Sequence, residues 1–237
     1  MLRRNLLRLV SRKFVAEMLG TALLLVAIVG SGIMGDRLSG GNGAIALLAN
    51  STATGAALVV LILAFGPVSG AHFNPAVSVA AAMQGGLSWM EAACYSIAQI
   101  GGAFLGVALA DVMFGEPVLS ASTHARAGWP LALSEVIATF GLFVVIWSCS
   151  RRRASVVPFA VGAYIAGAYW FTSSTSFANP AVTLARAATN TFAGIRPSDV
   201  PFFLIAQLIG AAAATSLCHW LVPVASSAEG ATTHVSV

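Results

Sequence analysis

The tripeptide Asn-Pro-Ala occurs twice in this chain, and each copy opens a short apolar segment. The two copies are Asn74, Pro75, Ala76 and Asn179, Pro180, Ala181. Asn is a good N-cap, and Pro fits the first helical turn, where its missing N–H has no partner to lose. The segments, 74–83 and 179–188, are about ten residues each, or ~15 Å of helix at ~1.5 Å per residue. Because the hydrocarbon core is ~30 Å thick, each predicted helix crosses half a membrane, and two placed end to end complete one crossing.

The rest of the chain is apolar enough to require a bilayer. Of its 237 residues, 58% are hydrophobic and 8% are charged, whereas a soluble domain carries about 25% charged residues. We therefore predict an all-α membrane protein with a single transmembrane domain over residues 1–237. The long apolar runs predict six transmembrane helices, at about 14–34, 44–65, 88–113, 129–149, 156–171 and 200–222. The small polar residues at 225–237 predict a disordered tail.

Basic residues mark one side of the membrane. Eight of the 12 Lys and Arg lie in two clusters, at 3–13 and 151–153, beside apolar segments. Such clusters are typical of cytoplasmic ends, so the net charge of +4 does not indicate a nucleic-acid partner. The first cluster is also compatible with a signal peptide, although Glu17 and the apolar stretch after it favour a retained helix.

This charge pattern predicts the topology. Six spans put both termini in the cytoplasm, with the protein in the inner membrane and the lipid bilayer around it. The first half-helix then enters from inside and the second from outside, so that their N-termini face each other near the middle of the membrane.

The two halves of the chain repeat one another. Three pairs of polar residues recur at separations of 118, 105 and 108 residues: Glu17 and Glu135, Asn74 and Asn179, Gln99 and Gln207. The repeats cover about 14–113 and about 129–222. Because each repeat holds three spans, an odd number, the second is inverted relative to the first, which predicts an inverted 3+3 architecture.

Two facing helix N-termini predict a positive centre that repels cations and protonated water, because each carries unpaired N–H groups and a partial positive charge. The Asn side chains offer N–H donors to a passing solute oxygen. A molecule that accepts from both cannot relay protons along a water chain. This is passive chemistry, and the sequence contains no nucleophile–base pair, phosphate loop or metal-ligand spacing. We expect no enzyme activity, no cofactor and no metal.

On these motifs the chain resembles the aquaporin and glycerol-facilitator (major intrinsic protein) family. The resemblance rests on the residues 69–77 and 177–181 with the paired Glu and Gln, and it covers all six predicted helices. It implies six tilted helices and two re-entrant half-helices, one pore per subunit and a homotetramer. It also implies that Glu17 and Glu135 hold the re-entrant segments by accepting hydrogen bonds from backbone amides. For Glu17 an exposed acid near a helix start is the alternative. His72 would lie in the inner vestibule, either as a packing residue or as a solute contact.

The chain departs from the family at the selectivity filter. The family usually has Arg directly after the second Asn-Pro-Ala, and Val182 stands there in this chain. Family spacing assigns the other three filter positions to Thr54, Gly167 and Ser176. None of the four is bulky, charged or aromatic, which implies a wide filter that is poor in donors. A bacterial branch with Val at this position, some of it tied to arsenic resistance, is similar.

Arg186 lies four residues after Val182, on the same helix face. It supplies a displaced positive group at the outer mouth, or it is a surface arginine that reaches toward water.

The function predicted from this resemblance is a passive channel for small neutral solutes: metalloid hydroxides such as arsenite, glycerol-like polyols, and water. A water-selective channel is the alternative within the class. Inverted repeats with broken helices also build coupled secondary transporters, although these need an ionisable or carbonyl ion site at mid-depth. A structural membrane protein would need long loops or docking tails.

Overall fold

We analysed a computed structural model, which describes the backbone of residues 2–222 and the side chains of residues 12–222. The predicted tail at 225–237 lies outside the described residues. Eight α-helices form the described chain: α1 (Leu2–Leu38), α2 (Gly43–Ser69), α3 (Pro75–Met83), α4 (Trp89–Phe114), α5 (Trp129–Arg152), α6 (Val157–Phe171), α7 (Pro180–Arg186) and α8 (Val200–Leu221). Short 3-10 turns, Ala154–Val156 and Pro197–Asp199, precede α6 and α8.

Six of these helices are long and apolar enough to cross a membrane, at the six places that the sequence predicts. The other two, α3 with 9 residues and α7 with 7, are the half-helices. The second span, α2, continues through Pro67 to Ser69 and so extends past its predicted end near residue 65. Neighbouring helices in a membrane protein can satisfy the carbonyl that such a Pro leaves free. The helix ends where Gly70 adopts the left-handed conformation, with φ 89°.

The packing of the long helices repeats between the two halves. In the first half α1 packs on α2 and α4, and in the second half α5 packs on α6 and α8. At the α1–α4 contact, a Cβ on Gly102 would overlap the backbone carbonyl of Met18, and at the α5–α8 contact one on Gly210 would overlap that of Val136. Small residues let membrane helices approach this closely. The fold is therefore an inverted 3+3 bundle.

Each end of the bundle has its own cluster of polar contacts. At one end, which we call the basic end, Lys13 pairs with Glu91 at 3.5 Å, and Arg151 donates to the Gln84 side chain at 2.7 Å. The opposite end carries the segment 115–128, the longest connection between helices, and we call it the loop end. Both half-helices begin between these ends, where α3 and α7 are in contact.

Candidate functional site

The two half-helices begin at Asn residues that are hydrogen-bonded across the junction between them. Asn74 caps α3 by accepting from the Ala76 backbone N–H at 3.0 Å, and Asn179 caps α7 in the same way through Ala181 at 3.0 Å. Asn74 donates its side-chain amide to the Ala178 carbonyl at 2.8 Å, and Asn179 donates to that of Phe73 at 2.7 Å. Since an amide nitrogen has two N–H groups, each Asn keeps one for a further acceptor.

Glu17 holds the segment that leads into the first half-helix. Its Oε1 accepts from the Ser69 hydroxyl at 2.6 Å and the His72 backbone N–H at 3.0 Å. Its Oε2 accepts from the Phe73 backbone N–H and the Gln99 side chain, both at 2.7 Å. The side chain is completely buried. The structure therefore does not support the alternative of an exposed acid for Glu17.

Glu135 makes the equivalent contacts in the second half. It accepts from the backbone N–H groups of Phe177 and Ala178, each at 2.9 Å, and from the Gln207 side chain at 2.7 Å. Ala178 has φ 47°, and Phe73, its counterpart before Asn74, has φ 49°. A left-handed conformation costs a non-glycine residue roughly 1–2 kcal/mol, whereas a hydrogen bond to a charged group contributes about 1.5–3 kcal/mol. The buried carboxylates therefore offset the strain that turns the chain into each half-helix.

A single cavity of about 230 Å³ lies beside both half-helices. It extends from Ser150 and Val157 at the basic end to Tyr169 and Arg186 at the loop end. The half-helices contribute the N-cap, third and seventh positions of each, which share one helix face: Asn74, Val77 and Ala81, and Asn179, Val182 and Arg186. Much of the remaining wall is apolar and comes from Leu24, Ile28, Leu58, Ile62, Leu142, Ile146, Val161 and Ile165. The cavity therefore has a polar strip along an otherwise largely apolar wall.

Three of the four residues assigned to the filter line this cavity: Thr54, Ser176 and Val182. Gly167 does not. It is exposed on the outer face of α6, and its assignment to the filter is wrong. Tyr169 lines the cavity instead, with its hydroxyl 3.3 Å from that of Thr54. Counted back from Asn179, the cavity-facing position of α6 is thus two residues nearer than the family spacing predicts. Residues two apart on a helix point about 200° apart at 3.6 residues per turn, so this difference places Gly167 on the opposite face.

Arg186 lies inside the bundle and lines the cavity, with only 2% of its surface exposed. Its Nε donates to the Ala193 carbonyl, and its guanidinium carbon is 3.4 Å from the centre of the Phe177 ring. A surface arginine would keep its head group in water, so this alternative does not hold. Arg186 therefore stays a candidate for the displaced positive group at this end, and Tyr169 adds an aromatic side chain that the four assigned filter positions did not include.

Arg126 is a buried residue of the loop end that the sequence analysis did not find. It is 9% exposed, and its Nε donates to the Gly194 carbonyl at 2.8 Å. Its guanidinium carbon is 5.0 Å from the same Phe177 ring that Arg186 contacts. Burial lowers the pKa of Arg126 to about 10, so it stays protonated at pH 7. A single Arg in a long polar connection carries no sequence signal for this position.

His72 lines the cavity toward the basic end. Its Nδ1 is 3.0 Å from the Ser78 hydroxyl, and its ring packs edge-on against Tyr95 at 5.5 Å between ring centres. The two alternatives for His72 are thus compatible, because the ring is packed and also faces the cavity. Among the described side chains, no group of three or more His, Cys, Asp or Glu could hold a metal ion.

Six spanning helices around two half-helices, whose Asn-capped ends meet beside one internal cavity, define a membrane channel of the aquaporin architecture. Residues 6–175 match the family described as major intrinsic protein, and the chain belongs to that family. The resemblance drawn from the sequence is confirmed, and membership of this family makes the chain a channel rather than an enzyme.

Individual relatives agree with this assignment. The chain is 55% identical to aquaglyceroporin AqpS of Rhizobium meliloti (strain 1021) over 212 residues, which cover 90% of this chain and 91% of that protein. It is 34% identical to aquaporin NIP2-1 of Oryza sativa subsp. japonica over 192 residues, 78% of this chain and 63% of that protein. The crystal structure of the aquaglyceroporin from Plasmodium falciparum superposes with a TM-score of 0.74 at 20% identity, covering 90% and 97% of the two chains. This last match bears on the fold alone.

Proposed function

We propose that the protein is a passive channel for small neutral hydroxylated solutes: metalloid hydroxides such as undissociated arsenious acid, glycerol-like polyols, and water. The observation that carries this proposal is the one-sided polarity of the cavity, in which Asn74 and Asn179 each keep an amide N–H opposite an apolar wall. A small molecule with several hydroxyl groups can accept from both amides and turn its less polar side to that wall. The name of the 55% identical relative, aquaglyceroporin, supports polyol-sized solutes.

Val182 supports solutes larger than water. It follows the second Asn-Pro-Ala on the cavity-facing side of α7, and its side chain has no donor and no charge. With Thr54 and Ser176 it forms the part of the cavity wall that has small side chains. Arg at residue 182 would fill this space with a long side chain, and Val leaves the space to the solute.

In this proposal the two facing helix N-termini contribute to the exclusion of protons and cations. Each contributes roughly half a positive charge near the Asn pair. Because both Asn donate, a bound water molecule accepts on both sides and cannot pass a proton along the file.

Water selectivity is the second proposal, and a specific contact favours it. The Tyr169 and Thr54 hydroxyls are 3.3 Å apart, and Arg186 lines the same end of the cavity. If these groups narrow the path, only water passes. Coupled transport has less support, because the buried carboxylates Glu17 and Glu135 already accept several hydrogen bonds each from the re-entrant segments.

We also propose that the basic end faces the cytoplasm of the inner membrane, as the positive-inside rule predicts, and that four subunits associate. Large apolar side chains exposed on the spans, among them Leu48, Val60, Leu105 and Ile205, give each subunit an apolar surface for lipid or for neighbouring subunits. Protease accessibility in oriented vesicles tests the orientation, and mass measurement in detergent tests the tetramer.

Transport by the purified protein in liposomes tests the function. Stopped-flow light scattering measures water and glycerol permeability, and uptake of arsenite at neutral pH measures passage of the neutral hydroxide. We expect all three rates to exceed those of empty liposomes and to be independent of a proton or sodium gradient. Water flow without glycerol or arsenite flow would favour the water-selective alternative, and dependence on a gradient would favour coupled transport.

A further inference from the structure

Three residues of each half-helix segment face the cavity, and the two segments carry the same residue type at two of these positions and different types at the third. Counterparts lie 105 residues apart in the chain: Asn74 and Asn179, Val77 and Val182, Ala81 and Arg186. Beyond the Asn pair, the path toward the basic end therefore meets Val and then Ala, whereas the path toward the loop end meets Val and then Arg. At ~1.5 Å rise per residue, Arg186 lies about 6 Å along the helix from Val182.

Arg186 has no carboxylate partner in the described part of the chain. The ion pairs among described side chains are Lys13–Glu91, Arg37–Glu116 and Arg196–Asp199. Within the same residues, the hydrogen bonding of the Arg186 side chain is limited to Nε, which donates to the Ala193 carbonyl. Because Arg186 lines the cavity, its terminal guanidinium nitrogens are available to an acceptor there. A buried charge without a partner is expensive inside a membrane protein and is typical of a functional position.

Contacts with an aromatic ring and with backbone carbonyls hold the Arg186 side chain in its position at the cavity wall. Its guanidinium lies against the Phe177 ring, whose own backbone N–H is bound by Glu135 at 2.9 Å. Arg126 contacts the same ring and donates to the Gly194 carbonyl, next to the Ala193 carbonyl that Arg186 uses. Arg126 therefore helps to position the Arg186 side chain. Both arginines contact the Phe177 ring, and they donate to consecutive backbone carbonyls.

We propose that the channel selects solutes at two successive levels, by size around Val182 and by charge at Arg186. The Arg186 guanidinium repels cations at the loop end and donates to the oxygen atoms of neutral solutes before they reach the Asn pair. Arg126 acts as a positioning residue, because it touches Phe177 and the backbone around 194 but does not line the cavity. This proposal rests on the proposed channel function and adds that charge selection lies one helical turn away from size selection.

The test compares substitutions at the two levels in the same proteoliposomes, with two readouts. Potassium and proton conductance are measured by dye-detected flux at an imposed potential, and glycerol permeability by light scattering. A unit charge several ångström from the path, at an effective dielectric constant of ~20, accounts for about a hundredfold exclusion of monovalent cations. For Arg186→Leu we expect cation flux to rise by that order, and glycerol permeability to change as well because one donor to the solute is lost.

Matched variants separate charge from structure. Arg186→Lys keeps the charge and should keep cation exclusion, whereas Arg186→Gln keeps polarity and should lose exclusion as Leu does. Val182→Ala should raise glycerol permeability and leave cation flux at the wild-type level. Arg126→Gln should raise cation flux by less than Arg186→Gln and Arg186→Leu do.

Low cation flux in both Arg186→Gln and Arg186→Leu would overturn the charge role. High flux in the Lys variant as well would show that side-chain shape, not charge, maintains exclusion, and would overturn it equally. If the Arg186→Leu variant does not assemble, the Arg186→Gln and Arg186→Lys variants still decide whether the charge excludes cations. Absence of glycerol and arsenite flux in the wild-type protein would count against the proposed function, and cation flux would still report on Arg186.

Discussion

The side-chain amide of Asn179 donates a 2.7 Å hydrogen bond to the carbonyl oxygen of Phe73, and this contact joins the two halves of the chain at the centre of the bundle. The reverse contact, from Asn74 to Ala178, closes the junction. Each Asn thus holds the half-helices together with one N–H and faces the cavity with the other. Substitution of either Asn changes assembly and permeation together, so permeation is better tested at neighbouring positions.

Val182→Arg should reduce glycerol and arsenite permeability by tenfold or more, an effect of about 1.4 kcal/mol or larger, and should change water permeability by less than about threefold. The longer side chain would occupy the cavity wall beside Thr54 and Ser176 and narrow the path. Stopped-flow scattering and arsenite uptake measure both effects. Equal loss for all solutes, or no change, would contradict a size-selective role for residue 182.

Tyr169→Ala should increase glycerol permeability, whereas Gly167→Ala should leave it unchanged. Tyr169 lines the cavity and Gly167 is exposed on the outer face of α6. The two residues lie close in sequence on the same helix, which makes them a matched pair for light-scattering measurements. A change at 167 without one at 169 would restore the assignment made from family spacing.

Gly102→Ala should destabilise the protein, and Gly101→Ala should not. A Cβ on Gly102 would overlap the Met18 carbonyl of α1, whereas a Cβ on Gly101 meets nothing within 4 Å. Overpacking of this kind costs about 1–3 kcal/mol, and Ala in an open helical position gains up to ~1 kcal/mol over Gly. Thermal unfolding in detergent measures both variants, and similar Tm values would show that α1 and α4 can move apart freely.

Glu135→Gln should lower the unfolding temperature more than Glu116→Gln. The Glu135 carboxylate is fully buried and accepts from two backbone N–H groups and from Gln207. An amide would leave donors facing donors, at a cost of about 1–3 kcal/mol for each unsatisfied group. Glu116 forms a partly exposed pair with Arg37 at 2.7 Å, worth at most about 1 kcal/mol. Equal effects would argue against Glu135 as the brace of the second segment.

Stability should fall as the pH drops below about 6.5, in part through His124. Burial, Arg126 and Arg186 lower the pKa of this imidazole below its usual value. The unfolded chain therefore binds a proton at a higher pH than the folded protein does, so stability is present above pH ~6.5 and declines as the pH falls toward the folded pKa. His124→Gln should flatten the dependence of Tm on pH between 7 and 5. An unchanged slope would exclude His124 as a contributor.

The half-helices could be predicted because their signals are local. An Asn cap, a Pro in the first turn and an apolar run too short to span are all readable within a dozen residues around Asn74 and Asn179. The inverted repeat follows from helix count and from the paired Glu and Gln, which do not depend on the path of the loops. The brace role of Glu17 came from family resemblance, and the structure adds its burial and its four hydrogen bonds.

What the sequence determined by itself is the set of elements: six spans, two short helices with capped N-termini, and their inverted arrangement. What only the tertiary structure decided is which side chains face the cavity at the loop end. Tyr169 replaces Gly167 because the direction of a helix face depends on how α6 packs and how the segment after it turns, not on spacing along the chain. Arg186 and Arg126 are buried because Phe177 and the carbonyls of 193 and 194, supplied by other parts of the fold, surround their guanidinium groups.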